Sequence, residues 1–542
     1  MNQKRWDILS ENGNNLFDVL LKNRGIKDRD IFFKPHLHKL TTPENLFPEI
    51  DIAVERIKKA IKNKELIYIY GDFDVDGITA AAILWETIDF LGGKVLPFIP
   101  HRQKQGYGIH AEALDTFAKA GAKVVISVDC GITAVDEAKI AKKLSLDFII
   151  TDHHTKQSKV PKPFALLHTT NLAGSGVAFV LAKALLESFS KKDDEQIYKN
   201  LELASLGTIA DMVPLIGDNR IIAANGLKSL TRTDRVGLRA LYDEVGITKN
   251  IGTTEVGFMI APRLNAAGRM ENAMDSLRLL LTKKKSRARD IAAKLSETNK
   301  ERREATMSAL THARQNLNSS QNSKILIVHH DSYLEGIVGL VAGRLAEENN
   351  KTTVVISQMN PVSKGSARSI KGFNIAEAIK SASKYLDSHG GHPMAAGFSL
   401  VPDNIPKFKE ELEKFAQKAM NTMDLTPSIQ IDYVLREEAI NQQNLQTIKT
   451  FEPFGIGNPE PMFLTRNFEV VDARTVGNQG KHLRLVLRTN GNAVHNEIGF
   501  GMGERSVKKG DQIDAVFNLQ ENNWQNRKDL QLKLKDFRAS KS

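Results

Sequence analysis

The sequence predicts an α/β protein in which a mostly parallel sheet domain is joined by a long helix to a second α/β domain, with a small C-terminal β-barrel such as an OB fold. Three observations carry this. Short apolar runs alternate with helix-forming stretches over residues 61–281 and again over 323–425. Residues 282–322 between them are highly charged and contain no Pro or Gly, as a solvated connecting helix would. From 426 to 542 the pattern changes to short strands separated by turn residues. Residues 1–60 read as an N-terminal helical arm.

At 542 residues the chain is too long for one hydrophobic core. No run of about 18 apolar residues is present, so no transmembrane helix is expected. The start, Met1-Asn-Gln-Lys-Arg-Trp-Asp, lacks the apolar core of a signal peptide. A single cysteine, Cys130, excludes an intrachain disulfide and a cysteine-cluster zinc site. A cytoplasmic location is the expectation. The net charge of +11 favours a polyanionic partner, nucleic acid above all.

Leu66-Ile-Tyr-Ile-Tyr70 reads as a strand, Gly71-Asp-Phe-Asp-Val-Asp-Gly77 as a loop, and Ile78-Thr-Ala-Ala-Ala-Ile-Leu-Trp85 as a helix. Asp72, Asp74 and Asp76 repel one another unless a cation lies between them, and hard oxygen ligands suit Mg²⁺ or Mn²⁺. An EF-hand loop would need a Glu where Ile83 stands and a helix where the strand stands. A P-loop would need Gly-Lys-Ser/Thr. From this stretch alone, an ordinary acidic surface turn explains the residues as well.

The next strands sharpen the reading. Val95-Leu-Pro-Phe-Ile99 leads into a basic loop carrying Arg102 and Tyr107. Val124-Val-Ile-Ser-Val128 ends at Asp129, and Phe148-Ile-Ile150 ends at Asp152-His153-His154. Ligand sites of parallel sheets lie beyond the carboxyl ends of the strands, and Asp74, Asp129 and His153 all fall there. Asn171-Leu-Ala-Gly-Ser-Gly176 is a glycine turn feeding an apolar helix, and a second apolar helix ends near Asp211. Arg263 and Arg269 flank small residues, which allow close approach of a ligand or merely tight helix packing. In the second α/β part, Gly365-Ser-Ala-Arg-Ser369 offers the donor set for a phosphate. His389-Gly-Gly-His392 supplies a turn and an imidazole, which could equally be structural. In the barrel, Trp524 and Arg527 are candidates for stacking on and pairing with a single strand, or ordinary rim residues.

Asp72-x-Asp-x-Asp-Gly77, Asp129-Cys-Gly131, Asp152-His-His154 and Asp211, in that order, resemble the DHH phosphoesterase superfamily. Within it the chain is similar to the bacterial single-strand-specific exonucleases. Gly106-Tyr-Gly108, Asn265-Ala-Ala-Gly-Arg269, Gly365-Ser-Ala-Arg-Ser369, Gly390-Gly-His392 and Phe454-Gly-Ile-Gly-Asn-Pro459 match that group. The likeness runs from about residue 15 to 538. Leu167-His-Thr169 departs from it, standing where Asn-Pro is expected. Tyr70 stands where some relatives carry a His, which leaves Asp72 to serve in its place.

The resemblance implies a DHH-type catalytic domain, its associated α/β domain and an OB-fold nucleic-acid-binding domain. It implies 5′ to 3′ digestion of single-stranded DNA to mononucleotides in recombination and repair. Two Mn²⁺ or Mg²⁺ ions would be held by Asp72, Asp74, Asp76, Asp129, His153 and Asp211, with Asp129 bridging, Asp72 a ligand or a group behind the ligands, and His154 turned to the scissile phosphate or orienting its neighbour. Arg102, Tyr107, Asn265, Arg269, Ser366, Arg368, Gly391 and His392 would hold the strand. Cys130 is read as packing. Implied partners are single-stranded DNA and a helicase or single-strand-binding protein that feeds it. The competing readings are a DHH-family phosphodiesterase acting on oligoribonucleotides or cyclic dinucleotides, a pyrophosphatase, and a non-catalytic nucleic-acid binder.

Overall fold

The computed structural model describes residues 4–540 apart from 14, 191–193, 249, 318–322, 422, 490 and 525–526. The side chains of 103–104, 522–524 and 527–528 also lie outside it, so the roles expected of Trp524 and Arg527 fall outside the described residues. The chain forms two compact units. One is Met1–Leu40, Pro214–Ala224 and Thr426–Ser542; the other is Thr41–Val213 and Asn225–Leu425.

The expected helical arm contains a strand, β1 (Arg5–Ile8), which pairs in parallel with Ser428–Ile431 of the same unit. Trp6 Nε1 also donates to Asp536 Oδ2 at 2.8 Å. A four-residue strand whose partner is more than 400 residues away has no local signature.

In the larger unit, β2 (Leu66–Gly71), β3 (Lys94–Phe98), β4 (Ala122–Val128), β5 (Asp147–Asp152) and β6 (Ala165–His168) form one parallel sheet in the order β3-β2-β4-β5-β6. Ile67, Ile69, Val124, Ile126 and Ile149 are fully buried in it. Each such side chain contributes about 1.5–3 kcal/mol. β3 lies on one side of β2 and β4 on the other, so the chain reverses its winding between β2 and β4 and opens a crevice at their carboxyl ends. Of the segment Leu167-His-Thr169, which stands where Asn-Pro is expected, Leu167 and His168 end β6 and Thr169 follows it.

Three helices complete the crevice: α1 (Val75–Phe90), α2 (Gly174–Ser188) and α3 (Asp194–Ala210). α4 (Ala261–Met270) leads towards the long helix α5 (Lys285–Asn316). α5 is not simply solvated: Ala288, Ala292, Leu295, Asn299, Leu310 and Ala313 are buried along it. Its buried positions are mostly small, which hides the amphipathic signal beneath the charges.

The second sheet holds β7 (Leu326–His330), β8 (Thr353–Ser357), β9 (Ser363–Arg368), β10 (Ser388–His392) and β11 (Ala395–Leu400), in the order β10-β11-β9-β8-β7. Only β7 and β8 run parallel. Gly336, just after β7, lies so close to α4 that a Cβ there would meet Arg269 O at 2.0 Å.

In the smaller unit, β12 (Ser428–Ile431) and β13 (Tyr433–Val434) precede a closed barrel. Its strands are β14 (Phe463–Val476), β15 (His482–Arg488), β16 (Val494–Gly499), β17 (Gln512–Trp524) and β18 (Arg527–Ala539). Pairing runs β14-β15-β16-β18-β17 and returns from β17 to β14, so this is a five-stranded barrel with an aromatic and aliphatic core. Two arginines bind the unit's separate stretches together. Buried Arg220 donates to the carbonyls of Phe32, Phe451, Glu452 and Pro453. Arg24 donates to Asp432, Asn458 and Pro459.

The barrel contains one costly position. Glu497 on β16 stands in register between Leu485 and Leu532, is 1% exposed, and has no hydrogen-bond partner on either carboxylate oxygen. Burial pushes its carboxyl well above the usual range. The unfolded chain ionises this group near 4.5 while the folded chain resists, so stability present below that pH is lost as pH rises above it. Glu497→Leu is expected to stabilise the protein by about 1–3 kcal/mol at pH 8 and by less at pH 4.5. Thermal unfolding at the two pH values checks this; an equal gain at both would mean Glu497 is not held neutral. Among the described residues, no helix is long and apolar enough to cross a membrane.

Candidate metal centre

β2 runs straight into the acidic loop. Asp74 caps α1, its Oδ1 accepting from the N–H groups of Asp76 (2.9 Å) and Gly77 (3.1 Å). Gly77 lies against the Asp72 backbone, where a Cβ would come within 2.6 Å of the Asp72 nitrogen. This close approach folds the loop back and buries Asp72. Asp76 caps a different helix. Its Oδ2 accepts from Gly174 N–H (2.6 Å) and its Oδ1 from Ser175 N–H (2.9 Å), at the start of α2. The positive end of that helix thereby steadies a buried carboxylate.

β4 delivers Asp129, whose φ of +61° is the left-handed conformation that Asp tolerates better than most residues. β5 delivers Asp152, His153 and His154. Asp152, which the sequence marks only as part of a motif, organises this corner. Its Oδ1 accepts from His153 N–H (2.7 Å), His154 N–H (3.0 Å) and His154 Nδ1 (2.8 Å), and its Oδ2 from Ile132 N–H (2.8 Å). Burial opposes the Asp152 charge, but the bonds from His154 and the backbone hold it below the ordinary range. Burial likewise opposes charge on His154, but Asp152 outweighs it and raises the imidazole to about 9. α3 ends at Ala210 and presents Asp211.

These side chains converge. His153 Nε2 lies 3.1 Å from Asp129 Oδ1, 3.7 Å from Asp211 Oδ2 and 3.8 Å from Asp76 Oδ2. Three sets of donor atoms gather within 4.8 Å of one another: Asp129 with His153 and His154, Asp76 with His153 and Asp211, and Asp72 with Asp74 and Asp129. Every carboxylate and imidazole expected at the metals thus falls in one pocket, with Asp129 shared by two sets. Burial and mutual repulsion push the Asp72 and Asp129 carboxyls well up, raise Asp74, and lift Asp211 to about 8. Burial lowers His153, which favours the neutral ring that a metal requires. Asp72 Oδ1, Asp129 Oδ1 and His153 Nε2 are buried without a hydrogen-bond partner. Orphaned hard-oxygen and imidazole donors pointing at one space fit a divalent cation such as Mn²⁺ or Mg²⁺. Tyr70 contributes nothing there: its hydroxyl donates to Gly108 O at 2.9 Å. Cys130 is a buried free thiol packed against the backbone of Val128.

Two glycines back the carboxylates. A Cβ on Gly174 would meet Asp129 Oδ1 at 2.5 Å, and one on Gly207 of α3 would meet Asp76 Oδ1 at 2.5 Å. The residue after Asp211 shows a different economy: Met212 adopts φ +63°, a conformation that costs a non-glycine residue about 1–2 kcal/mol.

A cationic rim adjoins the carboxylates. The Arg102 guanidinium lies 4.9 Å from the centre of the Phe73 ring, between Asp72 and Asp74. Arg269 is lowered to about 9 by burial and by the nearby Arg102, Arg302 and Arg368. Burial and Arg102 also lower Arg368, whose Nη1 donates to Ser366 Oγ at 3.0 Å. None of Arg102, Arg269 and Arg368 has a carboxylate partner among the described residues, so their charge is available to an anion. His392, Ala395 and Arg368 are opposite one another across β10, β11 and β9, which puts His392, Arg368 and Ser366 on one face of that sheet. Gly391 has φ +153° and lies against Ala396, where a Cβ would not fit. Tyr107 is 49% exposed, its hydroxyl oxygen 3.3 Å from His154 Nδ1. Asn265 is tied to the backbone, its Oδ1 accepting from Val75 N–H at 3.0 Å, so it positions the start of α1.

Comparison with known proteins agrees with this geometry. The family profile "DHH family, N-terminal domain" matches residues 66–208, "DHHA1 domain" matches 322–418, and "RecJ OB domain" matches 431–536. The chain is 37% identical over 503 residues to the single-stranded-DNA-specific exonuclease RecJ of Bacillus subtilis, covering 90% of this chain and 63% of that protein. It thus spans less than two thirds of that relative's length. It is 33% identical to RecJ of Thermus thermophilus, covering 87% of this chain and 68% of that one. The crystal structure of the Thermus thermophilus RecJ in complex with Mn²⁺ superposes with a TM-score of 0.86 at 29% identity, covering 99% of this chain and 80% of that one. The same protein in complex with Mg²⁺ gives a TM-score of 0.78 at 26% identity.

Proposed function

Because this chain belongs to the RecJ family of DHH proteins, we propose that it is a single-strand-specific DNA exonuclease, removing 5′-mononucleotides in the 5′ to 3′ direction by metal-dependent hydrolysis in recombination and repair. The observation that carries the reading is the pocket in which Asp129 Oδ1 and His153 Nε2 face each other at 3.1 Å without a hydrogen bond. Clustered, repelling carboxylates gain a binding protein nothing; they suit a cation that reacts with phosphate.

Two Mn²⁺ or Mg²⁺ ions held there would polarise the phosphodiester and lower the pKa of the attacking water. Asp76, His153 and Asp211 would hold one, and Asp72 and Asp74 the other, with Asp129 between them. Gly174 and Ser175 N–H fix the Asp76 carboxylate, and Asp152 fixes the His154 imidazole and the His153 backbone, so the donors need little rearrangement on binding. His154 donates from Nδ1 to Asp152, which leaves its Nε2 proton for a phosphate oxygen.

The remaining residues hold the strand. Arg102, Arg269 and Arg368 would neutralise successive phosphates, with Ser366 and His392 completing a seat for the terminal 5′ phosphate. A closed seat for that group sets the polarity, because it fixes the distance from the 5′ end to the reacting bond. Tyr107 would stack on a base, worth about 1–3 kcal/mol.

The test is direct. With Mn²⁺, the purified protein is expected to convert a 5′-phosphorylated single strand to mononucleotides from its 5′ end, to spare the matched duplex, and to stall on a blocked 5′ end. Release from the 3′ end, or comparable digestion of the duplex, would refute the proposal. Turnover of a dinucleotide as fast as a long strand would favour the small-substrate phosphodiesterase reading instead.

A further inference from the structure

The carboxylates and the phosphate-gripping arginines are joined by a short series of close backbone contacts. The end of α4 lies on the acidic loop, where a Cβ on Gly268 would meet Phe73 O at 2.3 Å. The next residue is Arg269. After β7 the chain makes a single tight turn, Glu335–Ile337, and enters α6 (Val338–Asn349). A Cβ on Gly336 in that turn would meet Arg269 O at 2.0 Å, and Gly336 O accepts from Arg269 Nη1 at 3.3 Å. Three residues on, a Cβ on Gly339 would meet Arg368 Nη2 and Ser366 Oγ, each at 3.1 Å.

Closeness of this kind also occurs where helices merely pack: a Cβ on Gly237 would meet Leu279 O at 1.8 Å. What distinguishes Gly268, Gly336 and Gly339 is the identity of their neighbours. These run in order from Phe73, between Asp72 and Asp74, through Arg269, to Arg368 and Ser366. Gly336 and Gly339 stand on one short piece of helical backbone, about 4.5–6 Å long, so a shift at one contact is passed to the other.

We infer that Gly336 and Gly339 are positioning residues that set the distance between the metal pocket and the seat for the terminal 5′ phosphate. This rests on the nuclease reading above. A methyl on Gly336 would press on the Arg269 carbonyl, which is backbone and cannot swing aside as a side-chain tip does. The start of α6 and the end of α4 must then part. A phosphate held by Arg368 and Ser366 would present the reacting bond away from the carboxylates, and a misplacement of about 1 Å can cost on the order of a hundredfold in rate. A strand with a 5′ hydroxyl is not anchored by the seat and has less to lose.

The experiment measures kcat/KM of wild type, Gly336→Ala, Gly339→Ala and Gly343→Ala with Mn²⁺ on one single strand carrying either a 5′ phosphate or a 5′ hydroxyl. Mn²⁺ affinity is measured in parallel by calorimetry. Wild type is expected to favour the phosphorylated strand. Gly336→Ala is expected to lose at least about tenfold on the phosphorylated strand and less than about threefold on the hydroxyl strand, so that the preference narrows. Its Mn²⁺ affinity should stay within about twofold of wild type. Gly339→Ala should narrow the preference by about threefold. Gly343→Ala, whose methyl would stand 3.9 Å from Arg368 Cγ in ordinary contact, should match wild type. A preference kept within about twofold of wild type by both Gly336→Ala and Gly339→Ala overturns the inference. So does equal loss on the two strands, or lost Mn²⁺ affinity, since the glycines would then serve the fold or the metal pocket and not the spacing. If Gly336→Ala does not fold, Gly339→Ala decides alone, because its neighbours need give by only a few tenths of an ångström. Wild type that digests both strands alike removes the seat and the inference with it. Wild type that leaves both strands intact overturns the nuclease reading itself, a separate outcome.

Discussion

Asp129→Asn is expected to lower hydrolysis by at least about a thousandfold, the scale at which loss of a central charge-stabilising group shows. It is also expected to abolish Mn²⁺ binding measured by calorimetry, and yet to raise the melting temperature of the metal-free protein. Asn keeps the side-chain shape and tolerates the left-handed φ of +61°, so the backbone has no reason to move. What disappears is a carboxyl that burial and four neighbouring carboxylates push well above its usual range. A raised carboxyl contributes stability below its unfolded value of 3.8, and that contribution is lost as pH rises towards the folded value. The gain in melting temperature should therefore be larger at pH 8 than at pH 4. Added Mn²⁺ should reverse the order, stabilising wild type and not the variant. Retained hydrolysis, or a variant still stabilised by Mn²⁺, would show that Asp129 is not a ligand.

Gly174→Ala is expected to cost nearly as much activity, although residue 174 carries no reacting group. Its new methyl would stand 2.5 Å from Asp129 Oδ1 and 2.7 Å from Asp129 Cγ, both too close to tolerate. Either Asp129 swings away or the start of α2 retreats, taking with it the N–H that holds Asp76 at 2.6 Å. Each outcome opens the cluster. We expect Mn²⁺ affinity to fall at least tenfold and kcat about a hundredfold, in line with losses seen when groups that orient metal ligands are changed. The melting temperature of the metal-free protein should drop by only a few degrees. Wild-type Mn²⁺ affinity in a folded Gly174→Ala protein would refute this positioning role.

The side chains proposed to hold metal were legible because they stand where apolar runs stop. Each of β2, β4 and β5 ends in or is followed at once by an acid, a local pattern needing no knowledge of the tertiary fold. The second layer was not legible. Asp152 was visible as a residue but not as the acceptor that fixes the His154 imidazole and the backbone of both histidines, since that role depends on the turn after β5. Gly174 and Gly207 look like ordinary helix glycines until two helices are brought against the carboxylates. The barrel shows the same limit. Its strands were recognisable from alternating apolar residues, except β16, which directs His495 and Glu497 inward where aliphatic residues are expected. The long helix was visible from its charges, but its buried alanines carried too little hydrophobicity to reveal the face that packs.

The pairing of Arg5–Ile8 with Ser428–Ile431 bears on how the molecule is made. During synthesis the opening segment leaves the ribosome long before its β-partner exists, and Arg24 and Arg220 wait equally for the Phe451–Pro459 loop. The barrel unit therefore cannot mature until the strands up to Ala539 have been made, whereas the larger unit has all its strands by Leu400. A fragment beginning at residue 426 would lack one strand and both arginine clamps. It would expose, unpaired, the edge that the first residues of the chain cover in the finished protein.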